Sequence, residues 1–248
     1  FVKDPVTLYD FGGKSYLGKE ELVSYDMIEA NRWERPIYFC ITVGESNRMG
    51  LTPYFRQTGM AYQVLPIRTK GTSSEVDVDR MYTNVMERFR WAGADRAGTY
   101  MDEKARRMLE TYRSMIFAPL AKGLIARGDS IRAQEVLKRS RTAILDEVVP
   151  HGASSLPLVG AFYDAGMTVD AEEISSLMLD RSLRDLDWFF RLSDRDFITC
   201  MPEIEREIIV AEELMRLNRT HGGGLEAKYG KDCDYYSKAY LQIYNQLS

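Results

Sequence analysis

The residues most able to do chemistry are few and scattered. The run Asn31-Arg32-Trp33-Glu34-Arg35-Pro36 sets a tryptophan between two arginines directly before an apolar stretch. An aromatic face flanked by cations is a platform for a sugar or a lipid headgroup. The plainer reading is that Trp33 plugs the end of a core while both arginines pair with nearby acids. Carboxylates recur in pairs, Glu172 with Glu173, Glu203 with Glu207 and Glu212 with Glu213. An i, i+4 pair shares a helix face, as a general acid and base require, yet exposed helices carry such pairs for solubility, and that reading is preferred.

Other catalytic patterns are incomplete. Gly12-Gly13-Lys14-Ser15 ends like a phosphate-binding loop, but Tyr9 stands where the first glycine belongs. Serine, histidine and aspartate all occur without a G-x-S-x-G elbow, and His221 lies in a polar loop beside Gly222-Gly223-Gly224, which reads as a flexible connector. The two histidines, His151 and His221, and three cysteines, Cys40, Cys200 and Cys233, have no metal-ligand spacing and no C-x-x-C pair. No catalytic, cofactor-binding or metal-binding residue is assigned. Asn218-Arg219-Thr220 fits the N-glycosylation pattern, which has meaning only in a eukaryotic secretory route.

The elements that must hold these residues fall into two parts. In residues 1–75, Leu22, Val23, Met27 and Ile28 behind Glu20-Glu21 predict a helix over 19–31 with one apolar side. Residues 36–43 are the best strand signal, apolar enough for burial on both faces. Thr52-Pro53 then opens one or two helical turns over 52–57, and a second strand follows near 60–67. Strand, short helix, strand favours a parallel pair with the helix as crossover. The small polar run 70–75 reads as the linker. Beyond it, residues 76–248 show helical spacing over 77–90, 102–127, 130–144, 156–165, 169–184, 202–216 and 234–247. Tyr236, Tyr240 and Tyr244 pack the last helix.

An internal repeat runs through the second part. Ala121-x-x-Leu124-x-x-x-Gly128-x-x-x-x-Ala133 matches Val159-x-x-Phe162-x-x-x-Gly166-x-x-x-x-Ala171, 38 positions later. Glycine ends one helix in a left-handed cap and the small alanine lets the next pack closely, the grammar of tetratricopeptide-like hairpins, expected near 104–144 and 156–186. The fold expected is α+β, a small N-terminal sheet unit followed by a mostly helical repeat region.

Composition is that of an ordinary globular chain, 45% hydrophobic and 28% charged over 248 residues. Net charge −4 offers no global attraction to nucleic acid, and no apolar run approaches the ~20 residues of a membrane-spanning helix. The first residue is Phe1 and the opening lacks a signal-peptide pattern, so the chain reads as an excerpt of a longer one.

Residues 31–39, Ile41-Thr42-Val43-Gly44, Gly50-Leu51-Thr52-Pro53-Tyr54-Phe55, Gly59-Met60-Ala61-Tyr62 and Leu65-Pro66-Ile67 resemble the C-terminal region of bacterial multi-pass membrane proteins of the protein O-mannosyltransferase-like type, related to a eukaryotic transmembrane O-mannosyltransferase. Asp79-Arg80-Met81-Tyr82, Phe89-Arg90-Trp91, Arg107-Met108 and the repeat around Gly128 continue the likeness, which weakens after about residue 190. The resemblance implies that the catalytic acid and the lipid-linked sugar site belong to a membrane part not contained here. It implies a non-catalytic domain on the extracytoplasmic, periplasmic side, whose partners are the membrane-embedded part of its own chain and an acceptor protein. Asn31, Trp33, Arg35 and Tyr62 are the candidate binding surface. The alternatives are a free-standing helical-repeat scaffold and a sugar-binding or sugar-processing domain. A lone thiol in an oxidising compartment must be buried, so Cys40 is expected inside.

Overall fold

The computed structural model describes residue 16, residues 18–69 and residues 75–247, and the chain divides into two compact units, 1–89 and 90–248. The Gly12 to Ser15 run and all of the expected linker except Glu75 lie outside the described residues.

In the first unit, helix α1 spans Lys19–Asn31 as its spacing predicts. Its start is closed by the Gly18 amide donating to Glu21 Oε2 at 2.7 Å, which accounts for a buried glutamate in the first turn. The apolar side does not face a core. Leu22, Val23 and Met27 are 51, 56 and 63% exposed, and the helix is tied down by the Tyr25 hydroxyl donating to the Met49 carbonyl.

Among the described residues the sheet has four strands: β1 Tyr38–Cys40, β2 Phe55–Gln57, β3 Ala61–Val64 and β4 Glu75–Val76, in the order β1-β3-β2-β4. β1 and β3 are antiparallel, with Phe39 opposite Tyr62, so the expected parallel pair is not formed. The intended crossover helix is a single 3-10 turn, Thr52–Tyr54, after which Phe55-Arg56-Gln57 extends as a strand. Phe55 and Gln57 point inward and Arg56 outward, an alternation too short to register as a pattern. Only residues 58–60 separate β2 from β3, a span that permits a hairpin and nothing longer. β4 pairs in parallel with β2.

β1 is an edge strand, which overturns its expected burial on both faces. Phe39 alone points inward, its ring 5.1 Å from that of Phe55, while Tyr38 and Cys40 are exposed. On the outer face, Arg80 of α2 (Val78–Thr83) donates to Gln63 Oε1 and the Tyr38 hydroxyl, both at 3.1 Å. Asp77 caps α2 by accepting from the Arg80 amide, and a π-helical turn, Asn84–Arg88, continues it.

The second unit opens with one continuous helical rod over residues 103–126: α3 Glu103–Tyr112, a π-helical turn Arg113–Phe117, and α4 Ala118–Ala126. Then come α5 Ser130–Ala143, α6 Leu156–Asp164, α7 Thr168–Phe189, α8 Asp194–Thr199, α9 Met201–Thr220 and α10 Glu226–Leu247. The equivalence of the two glycines holds in detail. Gly128 and Gly166 have φ of +77° and +72°. At the first, Gly128 N donates to Ile125 O and Asp129 N to Leu124 O; at the second, Gly166 N donates to Tyr163 O and Met167 N to Phe162 O. Both are Schellman caps, and the matched core residues Ala121, Leu124, Ala133, Val159, Phe162 and Ala171 are fully buried.

A third cap of the same form joins α9 to α10, where Gly222 has φ +69° and Gly223 N donates to Asn218 O. Ala227 falls where Ala133 and Ala171 do but is exposed, so the cap recurs while the helix after it packs in a different register. The molecule is α+β, a small N-terminal sheet followed by helices.

Candidate functional site

The Asn31 to Pro36 run forms a stapled turn at the end of α1. Arg32 takes the left-handed conformation with its amide donating to Glu29 O, and Trp33 follows with φ +63°. Two consecutive left-handed residues, neither of them glycine, are costly and persist only where surroundings over-determine them. Here the staples are Glu34 N donating to Asn31 O and Asn31 Nδ2 donating to Arg35 O at 2.6 Å. Trp33 is half-buried, whereas Arg32 and Arg35 are exposed and have no ion-pair partner among the described residues. The arginine pairing of the plainer reading is therefore not found. Both cations sit at the negative end of the α1 dipole, which offsets part of their mutual repulsion.

Tyr62 does not join this surface. It is 7% exposed on the inner face of β3, stacked on Phe55 at 5.4 Å, with the Arg48 guanidinium 4.9 Å above its ring. The Asn31 side chain reaches only the main-chain carbonyl of Arg35, so three of the four candidates share a turn and the fourth packs the sheet.

Cys40 is exposed, contrary to the burial expected of it. The Thr42 hydroxyl donates to its sulfur at 3.1 Å and holds the thiol below its ordinary pKa. Burial pushes the Cys233 thiol up to about 11.

The second unit contains a polar cluster that the sequence pattern did not single out. The Arg113 side chain is fully buried and donates to three carbonyls, Ile144, Val149 and Pro150, so one guanidinium holds the connection between α5 and α6. Its burial, with no carboxylate in contact among the described residues, pulls its pKa down to about 10. Asp146 accepts from the His151 amide and pairs with Arg181, which also donates to the His151 carbonyl. Burial opposes ionisation of Asp146, but Arg181 and the His151 amide outweigh it and keep the carboxyl below its usual range. His151 Nδ1 lies 2.9 Å from Ser155 Oγ. Burial first, and the Arg113 charge second, drive the imidazole pKa down to about 3.

Serine, histidine and aspartate thus meet, but not as a nucleophilic relay. Asp146 binds the main chain of His151 rather than its ring, and Ser155 is fully buried with no room for a substrate carbonyl beside it. The cluster braces a loop. The only sequence signal for it was His151 four residues before Ser155.

Asn218 is the centre of a second buried polar node. Its Nδ2 donates to the Tyr163 hydroxyl at 3.0 Å and to Glu172 Oε1 at 3.1 Å, and its Oδ1 accepts from the Leu225 amide. Glu172 also accepts from the Gly224 amide. A Cβ at Gly223 would lie 1.9 Å from Asn218 Nδ2. The glycine run is therefore a close-fitting cap, correcting its reading as a flexible connector. With its amide committed and fully buried in a helix, Asn218 offers no acceptor nitrogen for a glycan in the folded chain.

The paired carboxylates are spent on structure except Glu203, which has no partner among the described residues. Glu207 accepts from Ser182, Glu212 from Ser237, and Glu213 makes a two-pronged pair with Arg216. A groove of about 440 Å³ between α9 and α10 is lined by Ile209, Met215 and Cys233, and most of its charged rim is spent in the ion pairs Glu213–Arg216, Arg219–Glu226 and Asp234–Lys238. Among the described residues no group of acids, histidines or cysteines is placed to hold a metal ion, and no helix is long and apolar enough to cross a membrane.

No curated protein and no solved structure matches the chain. Residues 5–83 match the family model described as TMEM260-associated domain 2, a span that contains the Trp33 turn, the whole sheet and α2. The N-terminal unit is thus similar to a domain associated with TMEM260.

Proposed function

We propose that this chain is a non-catalytic accessory region of an O-mannosyltransferase-like membrane glycosyltransferase, in which the sheet unit serves the membrane-embedded enzyme and the helical hairpins bind acceptor protein or brace the assembly. The observation that carries the reading is the match of residues 5–83 to a TMEM260-associated domain. The chemistry of the chain is compatible with it: Glu207 and Glu213 are held by Ser182 and Arg216, and the Ser155 and His151 groups are buried in a loop brace.

A second reading, sugar binding at the Trp33 turn, is favoured by two exposed arginines flanking a half-buried indole. It is compatible with the first, because an accessory domain that grips the acceptor's sugar would still leave transfer to the membrane part. An extracytoplasmic position belongs to the same proposal. The exposed Cys40 lends that position no support, since an accessible thiol with a lowered pKa is readily oxidised there.

The test is incubation of the 248-residue chain with nucleotide-linked and lipid-linked mannose together with an acceptor protein. No transfer is expected from the chain alone, and turnover would overturn the accessory role. Trp33→Ala combined with Arg35→Ala in the complete enzyme is expected to raise the KM for acceptor several-fold at unchanged kcat. A loss confined to kcat would place the turn elsewhere in the mechanism.

A further inference from the structure

Charge is segregated along the helical unit. Residues 90–143 carry twelve Lys and Arg against six Asp and Glu, and residues 144–248 carry ten against nineteen. α5 lies against α4 and α6 whereas α10 lies against α9 and α7, and the two sets meet where Arg141 of α5 pairs with Asp170 and Glu173 of α7. At the first end, Arg96, Lys104, Arg106, Lys122 and Lys138 are exposed and have no ion-pair partner among the described residues. Tyr100, 88% exposed, Met108 and Ile131 accompany them at the surface.

The other end is built differently. The last turns of α7, all of α8, the first turns of α9 and the second half of α10 close over a small core of Leu186, Phe197, Ile204, Ile208 and Tyr240. Outside that core, Trp188 is 58% exposed, and Ile198, Leu241 and Tyr244 are also at the surface. Residues 239–248 contain no charged side chain, and over residues 191–208 the acids Asp194, Asp196, Glu203, Glu205 and Glu207 outnumber Arg191, Arg195 and Arg206. Stacked helical hairpins stay apart in solution when their end helices are polar outside. Neither end here meets that condition, and the two ends carry opposite charge.

We propose that the helical unit associates head to tail with a second copy of this chain, the α7–α10 end of one copy against the α3–α5 end of the next. Charge selects this occupant and this arrangement. A symmetric contact through the α10 end would bring Glu203 and Glu205 against their own counterparts, whereas a heterologous contact sets acids against Lys104 and Arg106 and covers apolar surface on both sides. The inference rests on the helical unit alone and is independent of the glycosyltransferase reading.

The experiment is sedimentation velocity of the 248-residue chain over a concentration series at about 0.05 M and about 0.5 M salt, either side of physiological screening. The average mass is expected to rise with concentration at low salt and to fall back at high salt. Lys104→Glu with Arg106→Glu, and separately Glu203→Lys with Glu205→Lys, are each expected to weaken association at least about tenfold. All four side chains are exposed, so far-UV circular dichroism should stay unchanged. An equimolar mixture of the two variants should associate again, since each supplies the end the other has lost. A chain that is monomeric throughout at low salt overturns the proposal. So does a dimer untouched by Lys104→Glu with Arg106→Glu, which would be a symmetric contact.

Discussion

His151 is held neutral by burial, with a folded-state pKa of about 3 against about 6.5 for an exposed imidazole. The unfolded chain therefore takes up a proton that the folded chain refuses. Above about pH 6.5 the difference vanishes. As pH falls from there toward 3, stability should drop by up to ~1.4 kcal/mol per pH unit from this group. The depressed Asp146 carboxyl adds a loss of the same sign as pH falls from the ordinary carboxylate range downward. His151→Phe should cost about 1–3 kcal/mol at pH 8 by stranding Ser155, yet flatten the decline between pH 6.5 and 4.5. Urea midpoints across that range measure it, and equal slopes in both proteins would show that His151 titrates alike folded and unfolded. Little of this was legible beforehand, because a depressed histidine depends on what surrounds it and not on its neighbours in sequence. The Trp33 turn was legible as a motif, since aromatic and cationic residues before a proline are conspicuous. Tyr62 and Cys40 were not placed correctly, because whether a strand residue is buried depends on which strand lies at the edge.

Helices were the readable elements. The spacing of apolar residues places most of them within a few residues of their observed bounds, and the offset between Gly128 and Gly166 identifies equivalent caps. The sheet was harder, since strands of two to four residues carry too few side chains for an alternation to show. The third cap is hidden in the sequence because its glycine sits in a run of three, which looks like a spacer. Its geometry makes a graded test. Nothing lies within 4 Å of a Cβ at Gly128, Gly166 or Gly222, so alanine there costs only the left-handed backbone, about 1 kcal/mol each. Gly223→Ala must instead displace Asn218 and Glu172, and should cost at least about 2 kcal/mol. Chemical denaturation of the four variants gives the ranking, and a Gly223→Ala as mild as the others would show the node to be loose.

For the whole molecule, net charge is a poor guide to behaviour. A chain with pI near 5.4 should pass a cation exchanger at pH 7, but the cationic excess of residues 90–143 should retain it at about 0.05 M salt and release it by about 0.3 M. Lys104→Glu with Arg106→Glu should abolish retention, and flow-through of the unaltered chain would mean that the excess is screened by neighbouring acids. The glycine cap before α10 bears on the molecule's integrity in another way. A three-glycine stretch between two long helices looks like an ideal hinge for exchanging the last helix between molecules. Here its opening would first have to break the bonds that Asn218 and Glu172 make to Leu225 and Gly224. The terminal helix is latched to its own chain, and domain swapping through it is disfavoured by the same residues that invite the suspicion.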